Sequence, residues 1–378
     1  MNEPWRDWIP GALGKPQITK LAENGFLLEA NLAALDHSSI DLHLSPRGWR
    51  LLEGSIKPNG DGSYLHFLEQ GKLIAPLAST AGDFILEPKN TYLFQLRERI
   101  SRHGESEIYG QATAKSSVGR VDVLARLIVD GMDGYEGFRP NAVGNGDMFL
   151  ELTPMTFRIA VQAGTPLTQL RFFYGRPEAS EISGPELWKN VLIGGGNNQP
   201  DGMLSLDLNP TVVAGSQACA FRAGPTQPNE LPIRLWKYTG EKPNPRKYWE
   251  LEKASDNQRL RIQHGSFYIL RSRERMAVPK GIAVYCRAID ETIGEMRIHY
   301  AGFVHPFFGL DRGDGTRGTP LIFEVRGHDV DANLIHGEKM ARMTFYRMSE
   351  DAVPDQDTNK QAYNEQTLKL STFFGDWT

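Results

Sequence analysis

Apolar positions along the chain fall into short runs separated by Gly, Pro, Asn and Asp. The runs are residues 84–86, 92–94, 123–129, 148–152, 170–174, 267–270, 282–286, 321–325 and 343–346. Each is rich in β-branched or aromatic residues and bounded by turn formers, the signature of a short strand. Helical periodicity is sparse. The spacing predicts a short amphipathic helix over 17–22 and another turn or two over 186–191. Many short strands with few helices predict an all-β protein built from sandwiches or barrels. No apolar run approaches the ~20 residues that a membrane helix needs.

The pattern also repeats. Tyr92-x4-Arg97-Glu98-Arg99-Ile100 recurs as Tyr268-x4-Arg273-Glu274-Arg275-Met276, an offset of 176 (268 − 92). Phe149-Leu150-Glu151-Leu152 recurs as Ile322-Phe323-Glu324-Val325, an offset of 173 (324 − 151). In both copies a glycine follows the Glu by thirteen residues, Gly164 and Gly337, and an aromatic pair comes soon after, Phe172-Phe173 and Phe345-Tyr346. Two matches at nearly one offset imply two homologous β-domains in tandem. We place them at 1–190 and 191–378, with the Gly- and Asn-rich stretch 192–198 as the linker.

Composition narrows the function. The chain has 378 residues, 42 Lys+Arg and 46 Asp+Glu, and a net charge of −4. It lacks the cationic surplus of a nucleic-acid-binding domain, but a local basic site for an anionic small molecule remains open. The two cysteines, Cys219 and Cys286, are too far apart in sequence for a disulfide framework or a close-spaced thiolate zinc site. The N-terminus has no basic segment leading into an apolar stretch, so a cytoplasmic protein with no membrane partner is expected.

The chemistry-bearing residues occur in a recognisable order. Ala114-Lys115-Ser116-Ser117-Val118-Gly119-Arg120 is followed by Gly131-Met132-Asp133-Gly134-Tyr135-Glu136-Gly137 and then by Phe149-Leu150-Glu151. Ahead of these lie Ser38-Ser39-Ile40-Asp41-Leu42-His43-Leu44 and Phe84-Ile85-Leu86-Glu87-Pro88. The succession resembles the dCTP deaminase/dUTPase superfamily, with its [KR]-S-S-x-x-R loop, I-D-x-x-[WY]-x-G segment and V-L-E-like strand. The length and the repeat resemble its tandem bacterial form. The second half departs from the pattern. Ala288-Ile289-Asp290-Glu291-Thr292 stands where the Ser-Ser loop belongs, and His305 stands at the Asp position of Phe303-Val304-His305-Pro306-Phe307-Phe308-Gly309. Glu324 survives, and Tyr363-Asn364-Glu365-Gln366 with Ser371 resembles the tail that closes over the nucleotide.

The resemblance implies two distorted β-barrels of the dUTPase type and hydrolytic deamination of dCTP to dUTP and ammonia, feeding thymidylate synthesis. It implies a homo-oligomer with sites between neighbouring domains. The first half would supply Lys115, Ser116, Ser117 and Arg120; the second would supply Glu324, His305, Tyr363 and Gln366. Glu151 is the competing carboxylate, and Asp133 a further substrate contact. A buried Glu can move protons between water and the base. A serine can orient the water and Arg120 can steady charge. Mg2+ would arrive with the triphosphate, held by phosphate oxygens and water. Zinc deaminases carry H-x-E with P-C-x-x-C; that constellation is absent from the sequence, so no zinc is expected. Competing readings are a dUTPase-type pyrophosphatase using Asp133, an enzyme that does both steps, and a non-catalytic nucleotide-binding regulator.

Overall fold

The structure is a computed structural model that describes residues 5–101, 106–140, 144–194, 201–224, 231–237, 239–289, 296–299, 302–310, 317–354 and 366–377. The first half contributes β1 (Ile40–Leu51), β2 (Asp83–Leu86), β3 (Tyr92–Leu96), β4 (Ile108–Ala114), β5 (Val123–Val129), β6 (Gly137–Phe138), β7 (Met148–Pro154), β8 (Ile159–Gln162) and β9 (Pro166–Tyr174). The second contributes β10 (Ala220–Ala223), β11 (Ile233–Arg234), β12 (Trp249–Glu252), β13 (Phe267–Met276), β14 (Ile282–Ala288), β15 (Met296–His299), β16 (Gly302–Val304), β17 (Thr319–Gly327) and β18 (Lys339–Arg347). The helices are α1 (Lys15–Glu23), α2 (Tyr64–Gln70), α3 (Ser116–Gly119) and α4 (Pro185–Val191). This is the all-β architecture expected.

In the first half the strands run in the order β6-β4-β9-β1-β3-β7-β5. Glu136 closes the gap between the two ends: its N–H donates to Leu127 O on β5 (2.9 Å), and its carbonyl accepts from Ala112 N on β4 (2.7 Å). The sheet thus curls into a nearly closed barrel and loses most of its exposed edge. In the second half the corresponding strands form two sheets, β12-β10-β13-β17-β15 and one containing β18-β14-β16.

The sequence repeat is a repeat of register. Glu151 on β7 faces Leu93 on β3, and Glu324 on β17 faces Ile269 on β13. The repeated Glu of the Arg-Glu-Arg motif caps a neighbouring strand in both halves. Glu98 accepts from His43 N (2.8 Å) and lies 2.6 Å from His43 Nδ1. Glu274 accepts from Ser205 N (2.6 Å) and Ser205 Oγ (2.7 Å). Both carboxylates are buried, so each needs these donors. Gly164 and Gly337 have φ of 84° and 85°, left-handed turn positions that favour glycine.

Two elements were not evident in the sequence. α2 lies across the outer face of the first barrel, packing Tyr64 and Leu68 on Phe149, Leu93 and Ile128. α3 is a single turn made by the Ser-Ser loop itself. Of the linker candidate, residues 192–194 pair with β13 and 195–198 lie outside the described residues.

The halves share one core. Phe221, Trp249, Phe267, Ile269, Leu368, Leu370 and Phe374 of the second half join the cluster built on Leu42, Phe94, Leu150 and Phe172 of the first. The aromatic end of the tail docks here, with Phe374 against Phe157 and Trp249. β11 pairs in parallel with β8 and extends the first half's β8-β2 sheet. Across the seam Arg326 ion-pairs with Asp122, and both are buried. Burial lifts the Asp122 carboxyl above its ordinary range even against the attraction of Arg326.

Removing one partner of a buried ion pair strands the other charge. Arg326→Met is expected to cost about 3–5 kcal/mol of stability, read as a lowered denaturation midpoint. A midpoint equal to that of the unaltered protein would show that the pair does not hold the seam.

Candidate active site

The cavity at this seam has a volume of about 1020 Å³ and is lined from both halves. Lys115, Ser116, Ser117 and Arg120 come from the first half; His305, Glu324 and Gln366 come from the second. The sequence-derived groups therefore converge within one chain. Tyr363 lies outside the described residues.

The Ser-Ser loop sits between β4 and β5. Lys115 N donates to Leu167 O (3.0 Å), which starts the turn, and Val118 drops into the core. The turn brings the backbone of Gly119 against Glu324. A Cβ on Gly119 would stand 2.3 Å from Glu324 Oε2 and 2.9 Å from Oε1, so the carboxylate lies directly over its Cα. Alternation explains how β17 delivers it. Phe323 and Val325 point into the second-half core, while Ile322, Glu324 and Arg326 face the seam. Burial pushes the Glu324 carboxyl well above the ordinary carboxylate range; Arg120 pulls it back, and Asp122 adds to the rise.

Arg120 ties the tail to this centre. Its guanidinium donates to Gln366 Oε1 (2.7 Å) and Lys369 O (3.1 Å). Gln366 Nε2 donates to Pro320 O (2.8 Å), and Ser371 Oγ donates to Ser117 O (2.7 Å). Lys115 Nζ is engaged by Asp41. Burial raises the Asp41 carboxyl, and Lys115 partly offsets it.

Glu151 takes no part in the cavity. Arg126 Nε donates to its Oε1 (3.0 Å), Ser55 Oγ lies 2.9 and 3.0 Å from its two oxygens, and the Arg126 guanidinium lies over the Tyr135 ring at 4.3 Å. On the other side of its strand the register partner of Glu151 is Arg126 on β5, and that of Glu324 is His299 on β15. Asp133 is also elsewhere: its side chain is 70% exposed and ion-paired to Arg139 at 2.9 Å.

The cavity contains groups not singled out from the sequence: Asp36, His37, Asp41, Gln169, Lys237 and Lys242. The adjacent Asp36-His37 pair just ahead of β1 was the available signal. Among the described residues no group of three or more His, Cys, Asp or Glu can hold a metal ion. Among them, too, no helix is long and apolar enough to cross a membrane.

Comparison with known proteins shows the family and the fold. A family model of the N-terminal domain of 2'-deoxycytidine 5'-triphosphate deaminase matches residues 10–176, and one of its C-terminal domain matches residues 191–374. Among solved structures, the crystal structure of 2'-deoxycytidine 5'-triphosphate deaminase from Agrobacterium tumefaciens is similar. It is 26% identical, with a TM-score of 0.78, and the match covers 91% of this chain and 97% of that one. No curated protein matches significantly.

Any side chain at position 119 must displace the Glu324 carboxylate. A crystal structure of Gly119→Ala is expected to show Glu324 in another rotamer. An unmoved carboxylate would refute the close packing described here.

Proposed function

The chain belongs to the 2'-deoxycytidine 5'-triphosphate deaminase family, and we propose that it converts dCTP and water to dUTP and ammonia in the cavity between its halves. The supporting observation is the buried Glu324 of one half lying over the Ser-Ser-x-x-Arg turn of the other.

The proposed chemistry follows from a single carboxylate. Ionised Glu324 takes a proton from water as the oxygen adds to cytosine C4, and passes it to ring N3. It then takes the remaining hydroxyl proton and gives it to the amino nitrogen. The C4–N bond breaks, C4 becomes a carbonyl, and ammonia departs with Glu324 again ionised. The raised proton affinity suits this role, because a group that must both accept and return a proton works best near the operating pH. Ser116 orients the water. Arg120, fixed by Gln366 and Lys369, steadies the carboxylate without leaving it permanently paired.

Lys115, Lys237 and Lys242 supply positive charge in the same cavity. The triphosphate binds there, and Mg2+ accompanies it through phosphate oxygens and water. The groups that converge here come from one chain, so assembly into a homo-oligomer is not needed to bring them together. The product dUTP would then feed dUMP and dTTP formation. Asp133, on which a pyrophosphatase would rely, is exposed and outside the cavity, which favours the deaminase reading.

Purified protein given dCTP and Mg2+ is expected to yield dUTP and ammonia in equal amounts by chromatography. dUMP with pyrophosphate would instead indicate a second activity, and cleavage of dUTP alone a pyrophosphatase. Glu324→Gln should lose about 10²–10⁴-fold in kcat, while Glu151→Gln keeps its turnover. The reverse pattern would move catalysis to the first-half carboxylate. Because the base must be ionised and its affinity for protons is raised, kcat/KM should rise with pH through a midpoint above the usual carboxylate range. A midpoint near 4.5, the ordinary value, would be inconsistent with burial of Glu324.

A further inference from the structure

The turn that carries Gly119 to Glu324 carries a second residue to the next seam-facing position of β17. Asp122 closes that turn, donating from N to Gly119 O (2.8 Å) and accepting at O from Met155 N (2.8 Å). Its φ is 57°, a left-handed conformation that Asp adopts more readily than most residues. Its carboxylate meets Arg326, two residues beyond Glu324 and on the same face. The Arg326 guanidinium is occupied on every side. Nε lies 3.4 Å from Asp122 Oδ1, Nη2 donates to Asp122 Oδ2 and Thr156 Oγ1, and Nη1 donates to Gly265 O (2.8 Å). Thr156 Oγ1 donates in turn to Asp122 Oδ2. The seam thus carries Arg120 and Asp122 on one side and Glu324 and Arg326 on the other, with Arg120 acting on Glu324 and Asp122 on Arg326.

We propose that Asp122 is a positioning residue for the reaction: it holds Arg326 away from Glu324, and so keeps that carboxylate able to take up a proton. Two residues along a strand are about 7 Å apart, within reach of an arginine side chain. A buried arginine cannot discharge itself, because it does not lose its proton. Without Asp122 it must find another anion, and Glu324 is the next carboxylate on the same face of its strand. Joined to Arg326 as well as acted on by Arg120, Glu324 would stay ionised and take no proton from water.

The charged groups around Glu324 agree with this role. Burial is the chief cause of its raised proton affinity; Arg120 opposes the rise, and Asp122 adds to it. Burial raises Asp122 as well, and Arg326 and Thr156 oppose it. In the sheet the register partners of Glu324 are Ile269 on β13, which is apolar, and His299 on β15. On the turn, Lys115 is engaged by Asp41. From the tail, Gln366 is neutral, and Lys369 reaches Arg120 through its backbone carbonyl.

This inference rests on the deaminase reading, in which Glu324 carries the proton, and its test includes a readout independent of turnover. The pH dependence of kcat/KM on dCTP is measured beside the ¹³C titration of labelled glutamate carboxyls, where the Glu324 signal is the one missing from Glu324→Gln. Asp122→Asn keeps a side chain suited to the left-handed backbone. It is expected to lower the midpoint by about one pH unit or more in both measurements, a tenfold or greater loss of proton affinity, and to lower kcat. Adding Arg326→Met to Asp122→Asn removes the displaced cation and leaves no stranded charge, so the midpoint should return most of the way. A residue that merely held the fold would give no such recovery. Should Asp122→Asn fail to fold, Thr156→Val loosens the same hold without altering a charge, and its midpoint should fall too. An unmoved carboxyl midpoint in the variant used overturns the inference, while deamination of dCTP by the unaltered protein keeps the deaminase reading. A double variant with a midpoint as low as that of Asp122→Asn also overturns it. An unaltered protein that deaminates no dCTP overturns the deaminase reading. A carboxyl midpoint that still falls in Asp122→Asn then keeps the hold on Arg326, and one that does not overturns both.

Discussion

Two polar residues two positions apart on one strand govern the structure. Strand alternation sends Glu324 and Arg326 to the same face of β17, and that face is buried against the first half. A buried charge must be matched or must change its protonation. Arg326 is matched by Asp122, and Thr156 hydrogen-bonds to the pair. Glu324 meets the open backbone of Gly119 and holds its proton more tightly instead. The first contact fixes the halves against each other. The second leaves a carboxylate with raised proton affinity at the wall of a cavity. The same seam thus holds a matched ion pair at one position and a carboxylate with raised proton affinity at the other.

The first half shows what happens when a homologous carboxylate is matched. Glu151 occupies the corresponding strand position, but Arg126 stands directly across from it, and α2 packs over the same face. Its carboxylate is therefore matched within the first half. The difference between the two carboxylates lies in their neighbours and not in their own strands. This also explains why one repeat can retain the Ser-Ser loop while the other retains the tail: the two copies meet at one shared centre.

Much of this was legible in the sequence. The strand runs, the two helices at 17–22 and 186–191, the repeat and the Ser-Ser loop all follow from local pattern. α2 was hidden because a seven-residue helix is too short to establish a helical period against a β background. The start of β1 was legible through the resemblance at residues 38–44, but its continuation to Leu51 was hidden because Pro46 and Gly48 interrupt it, and the structure absorbs them in a register shift between Leu44 and Gly48. That Glu151 is paired with Arg126 while Glu324 lines the cavity was not legible, because the sequence position of Arg126 carries no mark of that pairing. The Asp36–Ser38–Arg171–His305 cluster joins three segments from both halves, and no spacing rule brings such residues together.

The parallel pairing of β11 with β8 has a consequence for how the protein is made. When residue 174 leaves the ribosome, every strand of the first barrel exists, yet one side of β8 has no partner and the shared core lacks Phe267, Leu368 and Phe374. At about 5–20 residues per second, the remaining chain takes on the order of ten to forty seconds to appear. Throughout that interval the nascent first half presents an open strand edge and uncovered apolar side chains, the features that invite misassociation. Fusing the two halves guarantees them a partner, but it delays burial of the first until the second is nearly complete, so nascent-chain chaperones have most to protect in the middle of synthesis.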